Sequence, residues 1–413
     1  MPAAGCSRHL AAGPTSGPGP GVLAQAPVAL VHGRRAASEA NPAYRVARPG
    51  RRQIRRVQHA GRCHTCPPVA SVDAKPQERN RPSYPAAITS PTSPGIAGRT
   101  AASFAAMGIF GSTRFGVHAG LQNISMGDLR AAWRRIEDAG YDWISIWDHF
   151  YAATDGSDPT CHEAVATHAA LACDTSRVRC GSLVYSIGYR HPAVLAKAAC
   201  AVDHLSGGRA DLGLGAGWAQ FEYEAYGIPF PAVKVRMDQL EEAVHCVRGL
   251  LSGEPFSFEG RYFTFREARC EPGPVGGRIP LWIGGGGEQR TLRIAARYAD
   301  GWNVPFIAAD AFAHKREILR QHCDAVGRDP GEIRCTINLG LAWTEDSLRQ
   351  QFGRMADYVR PGVLTGTDQE VIDRIGAYVD AGASQINIAL RAPFDLDAID
   401  RLAATVGLGG AAR

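Results

Sequence analysis

The chain has 413 residues, 45% of them hydrophobic and 21% charged, with a formal charge of +5 at pH 7. This is ordinary globular composition, and the length suits one large domain or two to three small ones. The charge is uneven: residues 1–106 hold 14 Lys/Arg and three Asp/Glu, whereas the rest hold 31 basic and 37 acidic side chains, a net of −6, so the body offers no electrostatic case for binding nucleic acid.

Residues 1–106 are rich in Pro, Gly, Ala, Ser and Arg and lack hydrophobic periodicity, so they are expected to be a disordered basic extension. One account is a mispredicted start, with translation beginning at Met107; the other is a basic tail that binds a partner. The first residues lack a charged region followed by an uninterrupted apolar core, which argues against an export signal. Cys63-His-Thr-Cys66 has no second pair at zinc spacing, so no metal site is expected. Eight of the 11 cysteines lie in the body, mostly inside apolar runs, and read as reduced, buried thiols of a cytoplasmic protein. No run of about 18 apolar residues is present, so no membrane span is expected.

From Arg114 the chain alternates between apolar strands and amphipathic helices. RFGVHAG predicts a strand, and DLRAAWRRIEDAG a helix closed by Gly140. DWISIWDHF, VRCGSLVYS, ADLGLGAGW, IPLWIGG, DGWNVPF, IRCTINLGLAW and SQINIAL predict seven more strands, each followed by a helical stretch, the last over 395–406. Residues 255–266, with period-two aromatics around Glu259-Gly260, read as a β-hairpin excursion. Eight βα units with near-continuous apolar strands predict a closed (β/α)8 TIM barrel over 107–413. A doubly wound sheet is the alternative, but Gly213-Leu-Gly-Ala-Gly217 lacks the third glycine of the dinucleotide motif and follows the fourth strand.

In such a barrel the chemistry sits at the C-terminal ends of the strands. Those ends offer His118, Asp148-His149, Ser182 to Ser186, Gly215 to Trp218, Gly284 to Gly287, Trp302-Asn303, Asn338, and Asn387 or Arg391. The four glycines Gly284, Gly285, Gly286 and Gly287 join the fifth strand to a helix. Backbone N–H groups at a helix start are unpaired and carry partial positive charge, and removing side chains lets an anion approach them. A phosphate is the expected occupant. A tight turn alone would need one or two glycines. Gly215-Ala216-Gly217 suggests something flat pressed on the fourth strand, or tight barrel packing.

LVYSIGYRHPAVLAKAACAVDHLSGGRADLGLGAGW, EAYGIPFP and PLWIGGGGEQRTLRIAARYADGWN resemble the bacterial luciferase-like monooxygenase superfamily, and most of all its branch that uses the deazaflavin coenzyme F420. The resemblance runs from about Arg114 to Gly407. It implies a barrel of the luciferase-like type with the cofactor ring at the mouth, against Ser182, Leu183, Ala216 and Gly217, and its phosphate tail at Gly284 to Gly287. Arg290 and Thr291 are candidate further donors there. It implies a non-prolyl cis peptide at the end of strand 3, where the matching bond is Ser182–Leu183. It also implies that Asp148 and His149 form an acid–base pair, with His149 exchanging a proton with substrate.

Deazaflavin-dependent sugar-phosphate dehydrogenases place a glutamate after the fourth-strand glycines. Trp218 stands there instead, which argues against sugar-phosphate oxidation and for an apolar wall shared with His118, Tyr185 and Trp302. The expected function is hydride exchange between F420 and a small organic substrate. The alternative is an FMN-dependent two-component monooxygenase, which would need a separate reductase as partner and would incorporate oxygen. A catalytically silent cofactor-binding protein would bind without turnover. Members of the branch are often homodimers.

Overall fold

The computed structural model describes residues 109–152 and 159–409. The expected disordered extension, Cys63, Cys66 and Met107 lie outside the described residues.

β1 (Arg114–Ala119) leads into helix α1 (Met126–Asp138), and β2 (Trp143–Ile146) into α2 (Ala164–Asp174). β3 (Arg179–Ser182) and its short continuation β4 (Tyr185–Ser186) precede α3 (Pro192–Ser206). β5 (Ala210–Gly215) is followed by a short helix α4 (Gln220–Ala225) and a long one, α5 (Val233–Leu250). The hairpin β6 (Phe256–Glu259) and β7 (Thr264–Ala268) comes next, as expected. Then follow β8 (Leu281–Gly284), α6 (Thr291–Tyr298), β9 (Gly301–Pro305), α7 (Ala309–Val326) and β10 (Arg334–Leu341). Two short helices, α8 (Glu345–Phe352) and α9 (Ala356–Val359), and the strand β11 (Val363–Leu364) lead to α10 (Asp368–Asp380), β12 (Gln385–Leu390) and α11 (Leu396–Thr405).

Strands β1, β2, β3, β5, β8, β9, β10 and β12 pair in that order, all parallel, and β12 pairs back to β1. The expected TIM barrel is therefore closed. Its helices start and stop where local chemistry dictates. Ser125 caps α1 by accepting from the Asp128 N–H at 3.1 Å, and Leu129, Ala132, Trp133 and Ile136 form the buried stripe at helical spacing. α3 begins with Pro192 and ends at Gly207 in the left-handed conformation. Thr367 and Glu370 close a reciprocal capping box on α10. Among the described residues, no helix is long and apolar enough to cross a membrane.

The main core lies between strands and helices. The barrel interior is more polar. Asn303 donates to Thr336 Oγ1 (2.9 Å) and Asn338 Oδ1 (3.0 Å), Asn387 donates to Asn338 Oδ1 (3.1 Å), and Gln385 donates to Asn387 Oδ1 (2.8 Å). Asn338 and Asn387, candidates as strand-end groups, are thus engaged with one another inside the barrel. Below them Trp143 donates to Asp211 at 2.7 Å, and Trp143, Leu183 and Trp282 cluster with Val184 packed on top.

Two expectations need correction. VRCGSLVYS, read as one strand, is broken into β3 and β4, and the cis bond is Leu183–Val184, one residue beyond the expected Ser182–Leu183. The ladder still runs through Leu183, whose N–H donates to Ile146 O at 2.8 Å, so Val184 is the residue displaced into the barrel. The stretch between β10 and α10 folds into α8, α9 and β11 around a small core of its own, with Leu348, Phe352, Ala356 and Val359 buried together. Of the eight body cysteines, six are buried, Cys161 is half-buried, and Cys173 is exposed at the end of α2 rather than buried as expected.

Candidate active site

Asp148 and His149 follow β2 at the C-terminal mouth, but they enter separate networks. Asp148 is buried; its Oδ2 accepts from the Ser186 N–H (2.9 Å) and from Arg190 Nη1 (2.8 Å). Burial raises its pKa despite the Arg190 charge. It ties the end of β2 to β4 and to the start of α3. His149 turns the other way, and its Nδ1 lies 3.0 and 3.1 Å from the two carboxylate oxygens of Glu222. Glu222 is completely buried and also accepts from the Tyr189 hydroxyl and from the Tyr151 N–H at 3.2 Å. Burial works against its ionisation, but the bonds from His149, Tyr189 and Tyr151 outweigh it and hold the carboxyl below its ordinary pKa. The expected Asp148–His149 pair is therefore replaced by a His149–Glu222 pair.

Sequence reasoning missed Glu222 because α4 has only six residues and no readable period. The available signal was a carboxylate between two aromatics, Phe221 and Tyr223, four positions after Trp218. The loop that lacks an acid at Trp218 supplies one at Glu222, set behind the imidazole.

His118 stands one residue before the end of β1, beside His149. Its Nδ1 is 2.8 Å from Ser145 Oγ, its cross-strand neighbour, and its ring meets the edge of Trp147. Burial first, then the charges of Arg391 and His149, push its pKa down to about 3, so it stays neutral at physiological pH. Trp147 also meets the edge of His149, and Trp218, 54% exposed, covers the other side of His149 with ring centroids 5.3 Å apart. His118 and Trp218 thus stand beside the rings of Trp147 and His149, respectively.

Tyr185 and Trp302 do not. The Tyr185 hydroxyl meets His168 Nδ1 of α2 at 2.9 Å, and Trp302 stacks on Phe312 of α7 while donating to Gly285 O at 2.8 Å. Both face the helix layer. On β9 strict alternation sends Trp302 outward and Asn303 inward. At Tyr185 the displaced Val184 adds a residue to the inward count and reverses the alternation.

The two glycine groups differ in kind. On β5 the glycines accommodate protein. A Cβ at Gly213 would overlap the Ser182 carbonyl, one at Gly215 would sit 2.5 Å from Val184 Cγ2, and one at Gly217 would strike the Tyr223 hydroxyl and lie 2.6 Å from Ser186 Oγ. Ser182 spends its hydroxyl on the Gly213 backbone, accepting its N–H at 2.9 Å. Ala216 is half-buried against the core, and Leu183 lines the interior floor beside Trp143 and Trp282. After β8, Gly284 makes room for Val184, and Gly287 for the Thr291 hydroxyl. Gly285 and Gly286 have no such explanation. A Cβ at Gly285 would meet only Thr291 Cγ2 at 3.5 Å, and one at Gly286 only flexible or apolar side chains of Lys315 and Val304 at 3.3 Å. Gly285 has φ +119°, which side-chain-bearing residues rarely adopt. Lys315 Nζ reaches Gly286 O (2.9 Å) and Glu288 (2.8 Å), bringing a cation to this open turn. Arg290 is committed elsewhere, 2.6 Å from Asp238. Among the described residues, no three His, Cys, Asp or Glu side chains could hold a metal.

A closed parallel barrel with a histidine–carboxylate pair and an open glycine turn at its C-terminal mouth is the frame of a cofactor-dependent barrel protein. The chain belongs to the luciferase-like monooxygenase family, which it matches over residues 106–359. It is 32% identical over 238 residues to an F420-dependent glucose-6-phosphate dehydrogenase of Kineococcus radiotolerans, covering 56% of this chain and 69% of that one. In fold it is similar to an F420-dependent secondary alcohol dehydrogenase bound to an F420–acetone adduct (TM-score 0.65, 20% identity, 72% of this chain and 98% of that one). It is likewise similar to the F420-dependent tetrahydromethanopterin reductase of Methanopyrus kandleri (TM-score 0.61, 19% identity, 71% and 98%).

Proposed function

We propose that the protein is an oxidoreductase that binds F420 and exchanges hydride with a small organic substrate, an alcohol or its carbonyl counterpart. The observation that carries this reading is the His149–Glu222 pair at the mouth, facing across the barrel toward the open turn at Gly285-Gly286. In ring order β8 is four strands from β1, so the turn and the His118–His149 wall stand on opposite sides. The F420-dependent relatives support the choice of cofactor.

The turn fits a phosphate-bearing tail through the backbone that follows Gly285, whose own N–H donates to the Asn303 carbonyl at 2.9 Å; Gly286 carries no side chain to block it, and Lys315, ion-paired with Glu288 at 2.8 Å, stands beside it. Leu183, Val184, Trp143 and Trp282 form an apolar floor suited to a flat ring and keep water out from below. F420, when bound, supplies the hydride acceptor or donor. The chain supplies the proton chemistry. Glu222 holds His149 through Nδ1, which leaves Nε2 as the ring nitrogen for substrate. As a hydroxyl-bearing carbon gives up hydride, its hydroxyl proton passes to Nε2; in the reverse direction Nε2–H returns it to the carbonyl oxygen. Buried, ionised Glu222 stabilises the protonated imidazole. Asp148 positions β4 and α3 and takes no proton. Eight cysteines are free among the described residues, Cys200 and Cys270 sharing a thiol hydrogen bond at 3.5 Å, which supports a reducing, cytoplasmic setting.

The test is to titrate the purified protein with F420 and FMN side by side and to follow oxygen uptake. Tight F420 binding without oxygen uptake is expected. Tight FMN binding with no F420 binding, and oxygen incorporation with a reductase present, would establish the two-component monooxygenase instead.

A further inference from the structure

Just past the end of β12 stands Arg391, close enough to His118 to help push its pKa down and one aromatic ring, Trp147, away from His149. Its guanidinium carbon lies 5.1 Å from the centre of the Trp147 ring and 5.3 Å from that of Phe352, so it is held between an aromatic of the β2 end and one of α8. Among the described residues it forms no ion pair and no side-chain hydrogen bond, and its Nε is buried without a partner. Desolvation lowers its pKa to about 10, which still leaves it charged at neutral pH. By contrast, half-buried Arg190, which also lies at the mouth, is paired with Asp148. A buried guanidinium without a carboxylate is costly, and the two aromatic faces offset only part of that cost.

We infer that Arg391 binds the carboxylate of an anionic substrate and holds it against Trp147, with the reacting carbon toward His149. The inference rests on the mouth being the substrate site. Trp147 is flanked by Arg391 at 5.1 Å on one side and by the His149 ring at 6.0 Å on another, so one small molecule can reach both. Arg391, His118 and His149 belong to three consecutive strands, β12, β1 and β2, across the barrel from the open glycine turn on β8. The cation therefore sits on the substrate side and not with the cofactor tail. Its planar fork matches a carboxylate in a bidentate fashion. A phosphate dianion would call for several donors, and His118, held neutral, adds no second cation. The aromatic walls favour an organic acid with a flat or apolar body.

The test uses the full-length protein and benzoate as the probe, with benzamide and inorganic phosphate as comparison arms. Binding is read by tryptophan fluorescence and by thermal shift. Benzoate is expected to bind, with benzamide and phosphate at least about tenfold weaker. Arg391→Met should lose benzoate binding by about tenfold or more while F420 affinity is unchanged, and Arg391→Lys should fall between. With no ligand, Arg391→Met should melt no lower than the parent, because an unpaired buried charge has been removed. Equal binding of benzamide, stronger binding of phosphate, benzoate binding that survives Arg391→Met, or unfolding of Arg391→Met would each overturn the assignment. Failure of F420 to bind in its own titration sinks the oxidoreductase reading and leaves the benzoate result to be judged separately.

Discussion

His149 Nδ1 lies 3.0 Å from Glu222 Oε1, although the two residues are 73 positions apart and come from different βα units. This bond fixes which ring nitrogen faces the mouth. His149→Ala should therefore slow turnover by about 10²–10⁴ while leaving F420 affinity nearly unchanged. Glu222→Gln should slow it by about tenfold or more, again with F420 affinity nearly unchanged. Turnover identical to the parent's in both variants would remove the pair from the mechanism.

Asp148→Asn should behave differently. Asp148 holds the Ser186 N–H and Arg190, and it has no hydrogen bond to His149. The substitution weakens two charge-assisted bonds in a buried place, so stability should fall by about 1–3 kcal/mol. Turnover per folded molecule should fall far less than in His149→Ala. Chemical denaturation alongside turnover separates the two effects.

The glycine groups should also separate. Gly285→Asp or Gly286→Asp should weaken F420 binding by about a hundredfold or more with a native circular dichroism spectrum, because a carboxylate would occupy and repel the anion's place. Gly213→Ala should instead destabilise the fold by about 2 kcal/mol or more, since its Cβ would overlap the Ser182 carbonyl. Native folding with unchanged F420 affinity in the Gly285 and Gly286 variants would rule out the phosphate role.

Stability should fall on the acid side. His118 and His168 are buried neutral, with pKa values pushed down, mainly by burial, to about 3 and about 4. The unfolded chain takes up these protons below about 6.5, and the folded one resists until far lower. Stability is thus full above about pH 6.5 and declines as pH drops toward 4. His168→Gln, which keeps a polar group near Tyr185 and the Cys180 carbonyl, should flatten the melting-temperature slope between pH 6.5 and 4; an unchanged slope would count against the assignment.

The barrel and its hairpin were legible because apolar strands and amphipathic helices alternate with a period that the order of apolar and polar residues reveals. The strand ends followed from that, and His118, His149 and the glycine turn fell near the mouth. Side-chain direction was less legible. Trp302 required a correct parity on β9, and Tyr185 required knowledge of a displaced residue that leaves no mark in hydrophobicity. The partner of His149 was hidden by distance along the chain: Glu222 lies on a helix too short to show a period, and nothing near His149 in sequence points to it. Asp148, adjacent and acidic, was the natural choice, but successive residues diverge.

The displaced Val184 acts as a phase shift written into one strand. Upstream of it, Gly181 and Leu183 face the interior; downstream, Tyr185 faces the helices and engages His168. Gly213, Gly215 and Gly284, on two neighbouring strands, are the sockets that receive the extra side chain. The offset and its sockets form a single lock spread over three βα units. Deleting one residue between Ser182 and Tyr185 would restore regular alternation, swing the phenol into the lumen, strip His168 of its partner and leave three empty notches in the wall. A change of length at this place is therefore a change of inside for outside, and it can be tolerated only if two other strands and the helix that carries His168 are rewritten with it.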